Sequence, residues 1–168
     1  NLANGVEAIL NIGRASGGAT YPLYAPIFVE PDERAAMLRH PANARTVRKL
    51  AAITTAYLTI GGWPNSSLLA RQITEVGEMP RFEERGVIAE FGTTLLDADG
   101  NTIDGLEEWL VGIDEPTLRG IPLRVAVGGG EGKERALRAV LRSGLAHVVI
   151  TDSRSARKAL ERDPDADA

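Results

Sequence analysis

The chain has no cysteine among its 168 residues, so it can form no disulfide framework and carry out no thiolate chemistry. It has only two histidines, His40 and His147, which leaves structural zinc without an adequate set of nitrogen or sulfur ligands. It lacks any long uninterrupted apolar run, so no membrane span is expected. Its opening residues do not read as a signal peptide. It also lacks a basic excess. The formal net charge is −4, which argues against this segment itself being a main nucleic-acid surface. The lack of thiols fits a cytoplasmic setting, which is the expected location.

What is present is ordinary for a globular domain. Hydrophobic residues make up 43% and charged residues 25%, and the length suits one domain, 1–168, with a real core. The chain opens at Asn1 without methionine, as a processed product or a fragment would. No internal repeat, heptad seam or low-complexity segment interrupts it.

The most informative stretch runs from Leu123 to Asp152. An apolar run, Leu123 to Val127, is too short for an amphipathic helix and rich in valine, which reads as a buried strand. Gly128, Gly129 and Gly130, with Gly132 beyond, allow a sharp turn with main-chain amides bare of side chains. Ala136, Leu137, Val140 and Leu141 then recur at helical spacing, Gly144 suits a left-handed cap, and His147 to Ile150 forms a second apolar run. This is a strand, loop, helix, strand unit of a parallel α/β fold. A glycine loop entering a helix aims N–H groups and the positive helix end at one point, which suits an anion such as phosphate. A tight turn with a solvated Lys133, its position relieved by Glu131 and Glu134, fits the same spacing. Two phosphate motifs fail here. A Walker loop needs glycine at Val127 and a hydroxyl at Glu134, and the dinucleotide fingerprint needs glycine at Lys133, although Asp152 stands where a ribose-binding acid belongs.

Upstream, the pattern predicts a helix over Asn4 to Ser16. An edge strand over Thr20 to Val29 is shaped by Pro22 and Pro26. A short helix over Glu33 to Leu38 is followed by another over Pro41 to Ala52, with Val47, Leu50 and Ala51 inward. Ala56 to Ile60 reads as a strand broken by Gly61-Gly62-Trp63-Pro64, at the kind of strand end where α/β sheets gather ligands. Ser66-Ser67 can cap a helix through Leu68, Leu69 and Ile73, and Pro80 to Arg85 reads as a short polar helix or turn. Val87 to Leu96 reads as one strand interrupted at Gly92. Glu90 lies inside its apolar part, pointing either to solvent or, if buried, marking a site. Asp97-Ala98-Asp99-Gly100 signals a hairpin turn. Asp97, Asp99, Asn101 and Glu108 fall at calcium-loop positions, but Thr102 replaces the required glycine. Leu106 to Ile113 mixes turn and strand, and Glu115 to Arg119 is a short helix. Asp152 caps a last helix with Ala156, Ala159 and Leu160 inward. The acidic tail from Asp163 to Ala168 is expected to fray.

Four landmarks, in order, carry a family resemblance: Leu23-Tyr24-Ala25-Pro26 before Phe28-Val29; Gly61-Gly62 after a strand; Leu96-Asp97-Ala98-Asp99-Gly100; and Gly129-Gly130-Glu131-Gly132-Lys133 with Ile150-Thr151-Asp152 behind it. With them the chain resembles the effector-binding, or sugar-binding, domain of the SorC/DeoR class of bacterial transcription regulators. The resemblance implies a three-layer, parallel-sheet α/β fold, with helices on both faces of the sheet, like ribose-5-phosphate isomerase and glucosamine-6-phosphate deaminase. It implies a sensor rather than an enzyme, needing no cofactor and no metal. The ligand would be a sugar phosphate or related sugar effector. Gly129, Gly130 and Lys133 would hold its phosphate or polar end, and Glu90 and Asp97 would take its hydroxyls beside Gly61 and Gly62. DNA would be met only through an upstream helix-turn-helix absent from this chain, as is the opening part of the sensor domain. A homo-oligomer is expected, with no membrane partner. Gly61-Gly62-Trp63 stands where relatives commonly have Gly-Ile-Gly, and Leu95-Leu96 where they often have aromatics. Two rival functions use the same residues: an isomerase or deaminase with Glu90 or Asp97 as base, and a nucleotide-binding module using the glycine loop and Asp152.

Overall fold

The computed structural model describes residues 3–161; the acidic tail lies outside them. The chain divides into two compact units, Asn1–Ile53 with Gly105–Ile113, and Thr54–Asp104 with Asp114–Ala168.

The first unit is helical. α1 (Ala3–Ser16) stops at Gly17, which adopts φ +70° as a left-handed cap requires. α2 (Pro31–Arg39) and α3 (Pro41–Leu50) each begin with proline, which needs no intrahelical N–H partner there. The edge strand expected over Thr20 to Val29 does not form; among the described residues its one β-pairing is an isolated bridge from Phe28 to Leu110. With Pro22 and Pro26 unable to donate, this segment is fastened instead by α3 side chains. Asn43 accepts from the Tyr24 N–H at 2.8 Å and donates to the Tyr24 carbonyl, and the Thr46 hydroxyl donates to the Pro22 carbonyl. The inward face of α3 is therefore Asn43 and Thr46, with Val47 and Leu50 half-buried and Ala51 exposed. Trp109, in the irregular stretch after Gly105, stacks on Phe28 with ring centroids 5.0 Å apart.

The second unit holds a six-stranded sheet. Its strands are β1 (Thr55–Gly62), β2 (Ala89–Phe91), β3 (Thr94–Leu96), β4 (Thr102–Ile103), β5 (Leu123–Val127) and β6 (Val148–Ile150). The order is β4-β3-β2-β1-β5-β6. Only β1, β5 and β6 run parallel; β2, β3 and β4 form an antiparallel meander on the far side of β1. The α/β class holds, with a sheet that is mixed rather than parallel throughout. The single strand expected over Val87 to Leu96 is in fact the β2–β3 hairpin. Gly92, at φ +63°, makes the reversal that a β-branched or bulky residue would resist.

Helices α4 (Leu68–Glu75), α5 (Met79–Glu83), α6 (Glu115–Gly120), α7 (Glu134–Ser143) and α8 (Ser153–Leu160) complete this unit. α7 packs across β1 and β2, with Ala136, Leu137, Ala139 and Val140 buried, while Leu141, which shares their helical spacing, is exposed. Burying Leu137 and Val140 contributes roughly 1.5–3 kcal/mol each. Gly144 ends α7 at φ +64°. In α8 the inward residues are Ser155 and Ala159; Ala156 is half-buried and Leu160 is exposed. On β1, β5 and β6, the side chains of Tyr57, Leu123, Val127, Val148 and Ile150 are exposed, while Val125 on the same face is buried. Among the described residues no helix is long and apolar enough to cross a membrane.

Candidate functional site

β1 ends at Gly61-Gly62, where the antiparallel ladder places Gly61 opposite Glu90 of β2. Glu90 is 6% exposed. Its Oε2 accepts from the Trp63 indole N–H at 2.8 Å and from the Ser67 hydroxyl at 2.5 Å. Ser67 is also the N-cap of α4, its oxygen accepting from the Ala70 N–H at 2.8 Å. Burial pushes the Glu90 carboxyl above its ordinary value, against the downward pull of Ser67, Trp63 and the Lys133 charge. Glu90 thus takes the buried, site-like alternative of the two that the sequence allows.

The lysine comes from the far side of the strand ends. Lys133 occupies the N-cap position of α7 but makes no side-chain cap. Its half-buried side chain turns toward β1, and Nζ donates to the Ile60 carbonyl at 2.9 Å. Gly62 lies against the same loop: a Cβ built there would sit 3.5 Å from the Gly132 carbonyl oxygen and 3.7 Å from the Ala136 Cβ. Gly61, Gly62, Glu90 and Lys133 therefore converge at the carboxyl end of β1, the position where α/β sheets receive ligands.

Much of the glycine loop is already engaged by the protein's own carboxylates. The Gly130 N–H donates to Asp152 Oδ2 at 2.9 Å and to the Ser155 hydroxyl at 3.0 Å. Asp152 Oδ1 caps α8 by accepting from the N–H groups of Arg154 and Ser155, and the Ser155 hydroxyl donates to Oδ2. These donors, Ser155 foremost, hold the Asp152 carboxyl far below its ordinary value. Glu134 is lowered by the Lys158 ammonium, which donates to it at 2.9 Å, and by main-chain N–H groups of Glu134 itself and Gly132. Gly129 passes so close to Asp152 and Thr151 that a side chain there would strike both.

Asp97 stands apart. Burial would raise its pKa, but hydrogen bonds from Asn101, Asp99 and Gly100 outweigh it and hold the carboxyl below its ordinary value. Oδ1 accepts from the N–H groups of Asp99 and Asn101, and Oδ2 from the Asn101 amide at 2.9 Å. The turn it braces packs on the last residues of α7, where Arg142 donates to the Ala98 carbonyl at 2.8 Å. Lys133 marks the opposite end of that helix, whose ten residues span about 15 Å. Among the described residues no group of acidic or histidine side chains is gathered as metal ligands.

Trp63 and Ser67 are the site residues that sequence reasoning missed. The strand break at Gly61 pointed to their neighbourhood, but their link to Glu90, 27 and 23 residues away, is set by the β1–β2 register.

Comparison with known proteins places these features in a family. The family model described as "Putative sugar-binding domain" matches residues 2–161. The transcriptional regulator LsrR of Klebsiella pneumoniae is 30% identical over 142 residues, covering 81% of this chain and 44% of that protein. The chain thus spans less than half the length of the curated relatives it matches over most of its own length. Among solved structures, the sugar-binding domain of a transcriptional repressor from Vibrio fischeri matches with TM-score 0.74 and 23% identity, over 89% of this chain and 61% of that one. A domain of a possible sugar-binding transcriptional regulator from Arthrobacter aurescens gives TM-score 0.77 and 22% identity, over 96% and 63%. With the family model spanning nearly its whole length, the chain belongs to the sugar-binding domain family of SorC/DeoR-type transcriptional regulators.

Proposed function

We propose that this chain is the effector-sensing domain of a transcription regulator and that it binds a sugar phosphate or related carbohydrate without converting it. The observation that carries this reading is that a buried carboxylate, Glu90, and one ammonium, Lys133, which donates to the Ile60 carbonyl and lowers the pKa of that carboxyl by its charge, lie at the carboxyl end of β1. A carboxylate accepts hydrogen bonds that fix a polyol's orientation, and an ammonium meets an anionic or oxygen-rich end. Gly61 lets the Glu90 carboxylate lie against β1, and Gly129 lets the loop pass close to Asp152. Gly130 and Asp97 support the loop and the turn rather than the ligand, since their polar groups already have protein partners. DNA is read by another domain of the longer protein in a self-associated, cytoplasmic regulator. The ligand shifts the population toward the arrangement it binds better, and DNA affinity follows that difference.

The relatives favour sensing over catalysis, because those named are transcriptional regulators. A nucleotide-binding role fits less well: both Asp152 oxygens are engaged by the α8 N-terminus, Ser155 and Gly130, leaving that acid poorly placed for a ribose. The test is thermal denaturation and calorimetry with D-ribose 5-phosphate, D-glucose 6-phosphate and the free sugars, with NMR of the recovered ligand. A ligand at 100 times its Kd adds about 2.7 kcal/mol of stability, and it should be recovered unchanged. Lys133→Ala should weaken a phosphorylated ligand far more than it lowers stability. An isomerised or deaminated product, or stabilisation by NAD or ATP alone, would overturn the sensing role.

A further inference from the structure

We propose that Trp63 and Ser67 are positioning residues for carbohydrate recognition: by both donating to Glu90 Oε2, they fix Oε1 over Gly61 at the carboxyl end of β1, where it accepts a hydrogen bond from a sugar hydroxyl. This rests on the effector site proposed above and adds to it the means by which its carboxylate is aimed.

The polarity of both contacts is fixed by chemistry. An indole N–H can only donate. The Ser67 oxygen already accepts from the Ala70 N–H at 2.8 Å, so its single hydrogen is directed to Glu90. Oε2 therefore faces two donors and has no room for a proton of its own. Oε1 is not an acceptor for either of them. It lies over Gly61, where a built Cβ would come within 2.5 Å of it. The two donors reach Glu90 from separate elements, Trp63 from the end of β1 and Ser67 from the start of α4, so the carboxylate is held from two directions. Trp63 is itself set by an edge-to-face contact with Phe82, ring centroids 6.1 Å apart, and Phe82 is fully buried. The positive charge of Lys133 also favours the ionised Glu90 carboxylate.

A ligand presenting a hydroxyl to Oε1 is favoured while Glu90 is ionised. A carbonyl in the same place is favoured only once Oε1 carries a proton, because Oε2 cannot. The arrangement thus selects a polyol over its keto or aldehyde counterpart while Glu90 is ionised.

The test compares Trp63→Phe, which keeps the ring against Phe82 but removes the N–H, with Ser67→Ala and the conservative Ser67→Thr. Two quantities are read: the titration midpoint of the Glu90 side-chain carboxyl by 13C NMR, and the affinity for D-ribose 5-phosphate and D-glucose 6-phosphate. Trp63→Phe and Ser67→Ala should each raise the midpoint and weaken whichever probe the wild type binds by about 5–20-fold, with Ser67→Thr restoring both. Midpoints that stay fixed in both deletion variants, or midpoints that move while affinity does not, would overturn the positioning role. If the wild type binds neither probe, the choice of effector class fails, and the midpoints still decide whether these two side chains set Glu90.

Discussion

Gly61 and Glu90 face each other across the β1–β2 ladder, and the volume in which a side chain at Gly61 would begin is filled by the Glu90 carboxylate. The two residues come from segments that are far apart in sequence. What joins them is the register of two short strands, and a change at either one should be felt at the other.

Gly61→Ala is therefore expected to evict Glu90 from its place. The added methyl would lie 2.5 Å from Oε1 and 2.6 Å from Cδ and Cγ. Gly61 has no positive φ, so the whole effect is steric. The carboxylate can swing away, but only by losing Trp63 and Ser67. We expect a folded protein, less stable by about 1–3 kcal/mol and unable to bind effector. In that background, Glu90→Ala should cost little more. Denaturant melts of the two single variants and the double variant check this, and additive losses would contradict it.

Glu90→Gln should separate stability from binding. Burial raises the folded carboxyl above its ordinary 4.5, so the stability tied to this group is fully present below pH 4.5 and is lost as pH rises through the folded value. Glutamine keeps an acceptor for Trp63 and Ser67 without the buried charge. The variant should melt higher than wild type at neutral pH, and the gap should close as pH falls toward 4.5. Effector affinity should fall at the same time. Melting curves from pH 4 to 8 decide it, and a pH-independent offset would count against a buried ionised carboxylate.

The parts of this architecture that were legible in the sequence are the local ones. The unit from Leu123 to Ile150 announced itself because an apolar run, three glycines and a helical repeat are contiguous, and the structure places β5, α7 and β6 there. Glu90 was visible as a carboxylate among apolar neighbours. The meander was not, because Gly92 reads equally as a flaw in one strand or a turn between two. Nor was the engagement of the Gly130 amide by Asp152, since nothing local says that a helix cap 22 residues on will fold back on the loop. The inward face of α3 was misread for a similar reason. Asn43 and Thr46 are polar, and only the carbonyls and N–H groups of a proline-broken segment give them a reason to be buried.

Arg124 should prove structural and intolerant of lysine. It is buried, and its guanidinium donates to the carbonyls of Leu145, Arg119 and Ile121. These are acceptors near the end of α6 and after α7, and one planar fork reaches all of them. Arg124→Leu strands them in the interior and should cost on the order of 3 kcal/mol. Arg124→Lys, with a single ammonium on a flexible stem, should recover less than half of that loss. Urea denaturation with effector absent makes the measurement, and full rescue by lysine would show that charge alone matters there.

Asp152→Asn tests whether the loop is held from behind by a carboxylate. In the wild type, Oδ1 takes the first N–H groups of α8 while Oδ2 takes Gly130 and the Ser155 hydroxyl. Asparagine can cap the helix, but its amide nitrogen presents donors where Gly130 and Ser155 also donate, so one side of the bracket must open. Because the folded carboxyl is held below its ordinary 3.8, the wild type keeps this contribution at all pH values above that and loses it as pH falls through the lower folded value. The stability gap between wild type and variant should therefore be level from pH 7 to 5 and narrow only below about pH 4. Amide hydrogen exchange at Gly130 should quicken in the variant while the core of α7 stays protected. Equal protection of Gly130 in both proteins would mean that the loop keeps its shape without Asp152, and that its amides are freer to meet a ligand than the bracket implies.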